Sequence, residues 1–418
     1  MKHTVKLLSI FLLMQCTTNS ISFSQAQDKG EWLSRKAMPT ARQEIQHAVL
    51  NGKIYIPGGF TASRSATNIV EVYDPATDDW STAPPLPVAM HHLHLAAANG
   101  TLYILGGYET SGFVPSNRVL ELDLQNNRWN PKKSMAISRG AGIAITFEDK
   151  IYVIGGSAFG VSDMNEMYDP MTDNWTSRAP MLTAREHLAG ALIDSLIYIV
   201  GGRVSTSSNL SALEVYSPQT DEWRTLTNMP TPRGGNAAAS ANGRLYVFGG
   251  EFFEEGSGVF SETEEYDPVT NGWRKMAAMP SPRHGIGAAT IGGDIYIIGG
   301  GSVAGFGVVN VNSIFRPPAD VTSIAEESTS PQNFVLEQNY PNPFNPSTTI
   351  RFRLKNSSQV TLRIYDLSGR EVITLVDGRL NAGEHAVRWQ ANSIVSSVYV
   401  YELKAGGFVE TKKMLLLR

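Results

Sequence analysis

Six pairs of adjacent glycines, each at the end of a short apolar run, recur along the chain at a nearly constant spacing. The runs read KIYIPGG, TLYILGG, KIYVIGG, LIYIVGG, RLYVFGG and DIYIIGG, and successive pairs stand 46 to 50 residues apart. Such short runs of β-branched and aromatic residues are typical of strands buried on both faces. A fixed period near 50 residues built from strands indicates a β-propeller or a related array, since a single compact core has no such repeat.

A second signal follows each of the first five glycine pairs. It reads VEVYDPATDDW, VLELDLQNNRW, NEMYDPMTDNW, LEVYSPQTDEW and TEEYDPVTNGW. The polar residues between the two apolar parts predict a tight turn, and the tryptophan starts the next strand. Each repeat therefore contains four predicted strands.

Together the two signals resemble the kelch repeat over about residues 31–317. The resemblance implies an all-β fold, a six-bladed propeller with four-stranded blades. The sixth repeat lacks its tryptophan, whereas Trp32 stands unassigned near the start of the chain. We therefore predict a propeller over residues 27–317 whose last blade takes its outer strand from about residues 31–38. That arrangement closes the ring and removes its free edges.

An arginine and a glutamate recur at fixed positions of the repeat and predict a buried ion pair inside the blade. The second repeat carries Met90 and Leu120 at these positions, which indicates that the pair is replaced as a unit, because one partner alone would be a buried unpaired charge. In the sixth repeat Arg283 faces Ser313. The predicted structural pairs are Arg42 with Glu71, Arg139 with Glu166, Arg185 with Glu214, and Arg233 with Glu264.

Two positions of each repeat are candidates for ligand binding: the residue after the arginine and the residue after the glycine pair. The resemblance to kelch propellers implies that both lie at the mouth of the central channel. Acids, histidines, one arginine and aromatic rings in one place suit a polar ligand. The predicted ligand-binding residues are Phe60, His91, Tyr108, Glu186, Arg203, Glu251 and His284.

The stretch MHHLH, residues 90–94, raises the question of a metal site. In an extended strand His92 and His94 point to one side and His91 to the other. The repeat aligns His92 with Glu44, His187 and small residues. No third ligand stands nearby in sequence, so we expect no metal site and no cofactor, and we expect His92 and His94 to serve in packing.

The repeat stops after residue 317, and the composition changes. Residues 318–333 read as a linker, and residues 334–418 as a small β-sandwich of alternating strands separated by turns. This region resembles the C-terminal sorting domain of the bacterial type IX secretion system in NYPNPFNPSTTI, IYDLSGREV, AGEHAVRW and the terminal TKKMLLL. The resemblance implies type IX machinery as a partner, passage across the outer membrane, and a Bacteroidota-like source. It also implies that the tail is cleaved during export, with release or attachment at the cell surface.

The N-terminus has the pattern of a secretory signal peptide over residues 1–26. Two lysines precede the apolar stretch LLSIFLLM, and Ser24-Gln25-Ala26 offers a cleavage site. Cys16 is the only cysteine, so the mature chain has no thiol and no disulfide. We expect no transmembrane segment in the mature chain, which passes through the periplasm to become secreted or bound to the cell surface. A formal net charge of −4 gives no electrostatic basis for binding nucleic acid.

Three functions fit these patterns. The first is an exported binding module for a glycan or a peptide or protein ligand. The alternative is a mutarotase- or epimerase-like enzyme acting on sialic acid or a related sugar, in which Glu186 or Glu251 serves as base and His91 or His284 as its partner. Such a base needs a raised pKa. The second alternative is a structural surface protein.

Overall fold

The computed structural model describes residues 29–253, 256–318, 334–354, 357–366, 369–381, 383–391, 394–406 and 408–417. The predicted signal peptide, with Cys16, and residues 319–333 of the predicted linker lie outside these ranges. The chain divides into two compact units, Met1–Val321 and Thr322–Arg418. Within the described ranges the regular elements are strands, and no helix there has the length and apolarity needed to cross a bilayer.

The first unit contains six antiparallel four-stranded blades, and the innermost strands of neighbouring blades contact one another around a closed ring. The apolar run before each glycine pair forms the second strand of a blade, and its side chains are buried between neighbouring blades. From the inside outward the strands are as follows. Blade one has Ala48–Leu50, Lys53–Pro57, Val70–Asp74 and Asp79–Thr82; blade two has Leu95–Ala98, Thr101–Glu109, Val114–Asp123 and Arg128–Lys132; blade three has Ile143–Phe147, Lys150–Ile154, Asn165–Asp169 and Asn174–Arg178. Blade four has Ala189–Ile193, Leu196–Val200, Leu213–Ser217 and Glu222–Thr225; blade five has Ala237–Ala241, Arg244–Phe248, Thr263–Asp267 and Gly272–Lys275; blade six has Gly287–Ile291, Asp294–Ile298, Asn312–Arg316 and Glu31–Arg35.

The outer strand of blade six comes from the N-terminal part of the unit. Trp32 pairs with Phe315 in the antiparallel register of Glu31–Arg35 on Asn312–Arg316. Its indole donates a hydrogen bond to the carbonyl of Ala277 in blade five, 2.9 Å away. The other five repeat tryptophans donate in the same way to the preceding blade, so Trp32 completes an outer ring of six indole hydrogen bonds.

The glycine pairs join each blade to the next through the backbone. The N–H of the second glycine donates to the carbonyl of the arginine, or of Met90, in the following blade, at 2.8 to 3.0 Å in all six blades. The first glycine has a left-handed φ between +58° and +77°. A Cβ on it would approach the same carbonyl oxygen, to 2.2 Å at Gly249 and 2.3 Å at Gly58. Glycine is therefore required here by close backbone approach as well as by φ.

The four predicted Arg–Glu pairs are in contact within their blades. The distances are 2.7 Å for Arg42–Glu71, 3.2 Å for Arg185–Glu214 and 3.0 Å for Arg233–Glu264, and Arg139 contacts Glu166. Each arginine is fully buried and also donates to strand carbonyls near the glycine pair. The arginine thus satisfies carbonyls that the ladder leaves free where the strand ends.

Blades two and six depart from this pairing. Met90 and Leu120 are both buried in one apolar cluster, so blade two replaces the ion pair with a packed one. Arg283 has no carboxylate partner among the described residues and donates instead to the carbonyl of Ile297, at 3.0 Å, and to the Ser313 hydroxyl, at 3.3 Å. Burial lowers the pKa of Arg283 to about 10.

The second unit is built from two antiparallel sheets around one apolar cluster. Buried side chains from both sheets, such as Phe352, Leu362 and Tyr401, form this core because each strand alternates between core and solvent. One sheet contains Phe334–Leu336, Ser347–Leu354 and Gly383–Gln390, and the other contains Glu371–Leu380, Ser358–Tyr365, Ser397–Ala405 and Phe408–Leu416.

The backbone contact between each glycine pair and the next blade, called the glycine joint, can be tested by replacing two glycines with alanine. Both glycines have a left-handed φ. Gly243 has φ +70° and no atom within 4 Å of an added Cβ, so Gly243→Ala should cost only the conformational strain, about 1–2 kcal/mol. Gly249→Ala adds a clash with the Arg283 carbonyl and should cost at least about 2 kcal/mol more. Urea unfolding followed by tryptophan fluorescence measures both; equal costs would contradict the proposed role of the joint.

The ion pair of blade five can be exchanged for the apolar pair of blade two. Glu264→Leu leaves Arg233 buried without its partner and should reduce the free energy of unfolding by about 3–5 kcal/mol. The double variant Arg233→Met/Glu264→Leu should be markedly more stable than Glu264→Leu alone, because no charge stays buried unpaired. The comparison is again by urea unfolding. A double variant no more stable than the single one would show that the pair is not exchangeable as a unit.

Candidate functional site

The two candidate positions of each repeat lie directly opposite one another at one end of the channel. They form antiparallel bridges in every blade, because the glycine pair turns the second strand back onto the residue that follows the arginine. The bridged pairs are Gln43 with Phe60, His91 with Tyr108, Gly140 with Ser157, Glu186 with Arg203, Gly234 with Glu251, and His284 with Gly301.

A cavity of about 880 Å³ opens at this end of the propeller. Five of the predicted ligand-binding residues line it: Phe60, Tyr108, Glu186, Arg203 and Glu251.

The other two predicted contacts, His91 and His284, do not line the cavity. Both are fully buried behind its wall. His91 packs on Phe60, with 4.0 Å between ring centroids, and its Nε2 lies 3.1 Å from the Thr110 carbonyl. His284 holds Glu251 from behind, with 3.2 Å between Nδ1 and Oε2. Each of the two contacts a residue that lines the cavity, and direct ligand contact by His91 and His284 stays a prediction.

In every blade, the second residue after the arginine, or after Met90, has a left-handed backbone conformation. Strand alternation, which was used to orient His92 and His94, does not hold there. The six φ values lie between +48° and +65°, and their backbone groups form a ring of hydrogen bonds around the channel. In five of the six, the N–H donates to the carbonyl of the counterpart in the preceding blade. In blade one, the N–H of Ile45 rather than that of Glu44 donates to Gly285. The residues are Glu44, His92, Ala141, His187, Gly235 and Gly285.

This left-handed step brings Glu44, His92 and His187 together at the base of the cavity. His92 was predicted to serve in packing, and here it lines the cavity instead. The prediction of no metal site considered only ligands nearby in sequence, whereas these three residues are far apart along the chain. The three side chains come from equivalent positions of blades one, two and four, and ligand atoms of all three lie within 4.8 Å of one another.

Arg203 organises the charges of the cavity. Its guanidinium lies 3.2 Å from Glu186, 2.8 Å from Glu251 and 3.1 Å from the Nε2 of His187. Burial opposes ionisation of Glu186, but His187 and Arg203 outweigh it and lower the pKa of this carboxyl to about 2. Burial likewise opposes ionisation of Glu44, yet His92, His284 and His187 hold its pKa well below the ordinary value. Both carboxylates are therefore ionised at neutral pH.

Aromatic side chains from three loops form the rim of the cavity. Phe113 is 53% exposed and lies 5.5 Å from Tyr108 between ring centroids. Phe253 lies under the Arg203 guanidinium, and Phe306 lies under that of Arg64. These rings were not predicted, because loop residues have no fixed position in the repeat. Phe113, Phe253 and Phe306 lie in the loops after the glycine pairs of blades two, five and six.

Comparison with known proteins places this fold and site in a wider class. A ring of six four-stranded blades with paired glycines, buried arginines and a polar channel mouth defines a β-propeller of the kelch type. The family described as Attractin/LZTR1 beta-propeller matches residues 11–250, more than half of the chain, and the chain belongs to that family. The KLHDC2/KLHL20/DRC7 Kelch-repeats domain matches residues 186–318, and the Secretion system C-terminal sorting domain matches residues 338–417. These matches confirm the predicted kelch propeller and sorting domain.

Curated relatives match less than half of this chain. Kelch-like protein 26 of Danio rerio is 27% identical over 189 residues, 44% of this chain and 31% of that protein. Beta-scruin of Limulus polyphemus is 29% identical over 212 residues, 48% of this chain and 23% of that protein. The chain therefore spans about a third or less of the length of these relatives. The solved structure described as "Structure of YjhT" aligns with a TM-score of 0.60 and 16% identity, covering 69% of this chain and 98% of that one, which shows the fold alone.

Two further histidines lie buried away from the cavity and are expected to make the propeller sensitive to acid. Burial lowers the pKa values of His47 and His94 to about 3. The ordinary value near 6.5 applies to the unfolded chain, which therefore binds more protons between pH 6.5 and 3. Their stabilising contribution is complete above pH 6.5 and is lost as the pH falls through this window.

The quantity to measure is the change in the free energy of unfolding per pH unit between pH 6.5 and 5, a range in which few carboxyls titrate. This change is called the slope below. His47→Leu should reduce that slope by about 1 kcal/mol per pH unit, because one proton fewer is taken up on unfolding. His385→Leu, in the second unit, serves as the control and should leave the slope unchanged. Urea unfolding across this pH range gives the slopes. An unchanged slope in His47→Leu would mean that His47 is not buried in its neutral form.

Proposed function

We propose that this protein is an exported binding module that binds an uncharged saccharide in the channel mouth of its propeller. The cavity of about 880 Å³ has the size and the mixture of aromatic and polar groups that suit a small polar ligand. Ionised carboxylates accept hydrogen bonds from sugar hydroxyls, and aromatic rings pack on the apolar face of a sugar ring. The proposal rests on one combination at one site. The carboxylates of Glu44, Glu186 and Glu251 line the cavity, and aromatic rings form its rim.

The charges of the cavity favour a ligand that donates hydrogen bonds. Three carboxylates and two guanidinium groups line it, a formal excess of one negative charge. Arg203 is already engaged by Glu186 and Glu251, which leaves it little capacity to compensate an anionic ligand. An acidic sugar such as sialic acid is therefore a poorer fit than a neutral one.

The same contacts weigh against the mutarotase-like alternative. A general base working near neutral pH needs a raised carboxyl pKa, whereas that of Glu186 is lowered to about 2. Of the proposed catalytic partners, His91 is fully buried and burial lowers its pKa to about 3, so it is neutral and shielded from a ligand. The site is better built to hold a ligand than to move its protons.

Export agrees with a role outside the cell. The match to a secretion sorting domain supports secretion or display at the cell surface and the involvement of type IX secretion machinery. We further propose that the tail is removed during export, so that the propeller functions without it.

The proposal is tested on saccharide and peptide arrays with the full chain, followed by titration of the saccharide that binds. Phe113→Ala removes an exposed ring of the cavity rim and should weaken saccharide binding about tenfold, since a ring contact of this kind contributes about 1 kcal/mol or more. Phe159→Ala is the matched control. It also removes an exposed loop phenylalanine, but one that does not line the cavity, and it should bind like the unchanged protein.

Each other outcome counts against the proposal in a distinct way. Binding of peptides only would replace the saccharide by an extended peptide as the ligand. Binding that is equally strong in both variants would place the ligand away from the cavity. No binding on either array would overturn the binding function and favour a structural surface protein.

A further inference from the structure

Three hydrogen-bond acceptors converge at the floor of the cavity. The Nε2 of His92 lies 3.0 Å from Glu44 Oε2 and 3.1 Å from the Nε2 of His187. All three side chains line the large cavity above and also a small one below them. Which of these nitrogens carries a proton follows from their other partners, because each neutral imidazole has one donor and one acceptor.

The hydrogen-bond chain behind His92 leaves its Nε2 without a proton. A carbonyl only accepts, so the contact of 3.1 Å between His91 Nε2 and the Thr110 carbonyl places the proton of His91 on Nε2. The Nδ1 of neutral His91 is then an acceptor. It lies 2.5 Å from Nδ1 of His92, which must therefore donate. In neutral His92 the remaining lone pair is on Nε2, directed at Glu44 and His187.

His187 reaches the same state by a different route. The guanidinium of Arg203 only donates, so its contact of 3.1 Å makes the Nε2 of His187 an acceptor. Its proton is then on Nδ1, which lies 3.3 Å from the Glu186 carboxylate. A carboxylate oxygen and two imidazole nitrogens thus face one another, and one cation placed between them would be bound by all three.

The space at the cluster suits a small ion. The cavity below the three side chains has a volume of about 30 Å³, the size of one water molecule or ion. Asn236 also lines it, is 5% exposed, and has no hydrogen-bond partner for either amide atom among the described residues. A buried amide without a partner is costly, and a bound ion with its water would satisfy the oxygen.

We propose that Glu44, His92 and His187 form a binding site for a divalent metal of the zinc class. Two imidazole nitrogens and one carboxylate are a ligand set that Zn²⁺ takes with a fourth position open to water. Ligands at 2.0–2.1 Å from a tetrahedral ion stand about 3.3 Å apart, close to the two distances observed.

The surrounding contacts match those of metal-binding histidines. His91 accepts the Nδ1–H of His92, and the Glu186 carboxylate lies 3.3 Å from Nδ1 of His187, so both rings present Nε2 to the site. The far oxygen of Glu44 lies 3.5 Å from His284. Metal binding displaces the Arg203 guanidinium from His187 but leaves its two carboxylate partners. The proposed metal site shares Glu44 with the proposed saccharide site, and a bound Zn²⁺ would add positive charge to the cavity. The two proposals are tested separately, because the Zn²⁺ titration is carried out without saccharide.

The test uses the full chain without an affinity tag, freed of metal with a chelator. Zn²⁺ is titrated in competition with a chromophoric chelator, and Co²⁺ is added separately for its visible absorption. We expect one Zn²⁺ per chain and a Co²⁺ spectrum typical of four-coordinate geometry. Glu44→Gln and His187→Gln should each weaken Zn²⁺ binding by about tenfold or more, and Glu186→Gln by about tenfold, because it acts through His187.

His385→Gln removes a histidine of the second unit as the control and should bind Zn²⁺ like the unchanged chain. Thermal unfolding of the metal-free variants checks that they are folded. Substoichiometric Zn²⁺ binding in the unchanged, folded chain would overturn the proposal. Binding that survives both Glu44→Gln and His187→Gln would place the metal elsewhere and overturn it equally.

Discussion

The hydrogen bond from the second glycine of each pair to the carbonyl of the next blade holds the propeller together. It recurs at 2.8 to 3.0 Å in all six blades, and Gly300 closes the ring by donating to Arg42. Because this contact is between backbones, it fixes the distance and angle between neighbouring blades whatever their side chains. The buried arginine beside it satisfies strand carbonyls, and the tryptophan indoles add a second set of contacts farther out. The residues that recur in the kelch pattern are therefore those that connect neighbouring blades or satisfy backbone groups beside the connection.

The position of the candidate site follows from the same joints. Within each blade, the residue after the glycine pair forms a bridge with the residue after the arginine or Met90, and the residue that follows this second position takes a left-handed φ. Its backbone groups are used in the inner ring of hydrogen bonds, so its side chain is free to differ between blades. Three blades have Ala141, Gly235 and Gly285 there, which leaves the space that Glu44, His92 and His187 share. A repeated backbone therefore carries a site with no internal symmetry.

Much of the fold could be predicted from the sequence, because a pattern that recurs in several repeats is more informative than a single occurrence. Six copies of one pattern indicate strand order and the Arg–Glu positions, and the unassigned Trp32 indicates where the ring closes. The candidate site was harder to predict. Five of seven ligand-binding residues line the cavity, but strand alternation fails at His92 because a left-handed residue reverses the side on which the next side chain lies. His91 and His284 are fully buried, although they occupy the same repeat position as Glu186, which lines the cavity.

The sequence by itself determined the fold class, the number of blades and the sorting domain, because each rests on local patterns that repeat or occur in a fixed order. Tertiary structure alone decided which side chains share the channel mouth. Glu44, His92 and His187 stand 48 and 95 residues apart and meet only because ring closure brings equivalent positions to one axis. The hydrogen bonding of the His92 ring likewise depends on His91 and Thr110 behind it, through contacts that no linear pattern encodes.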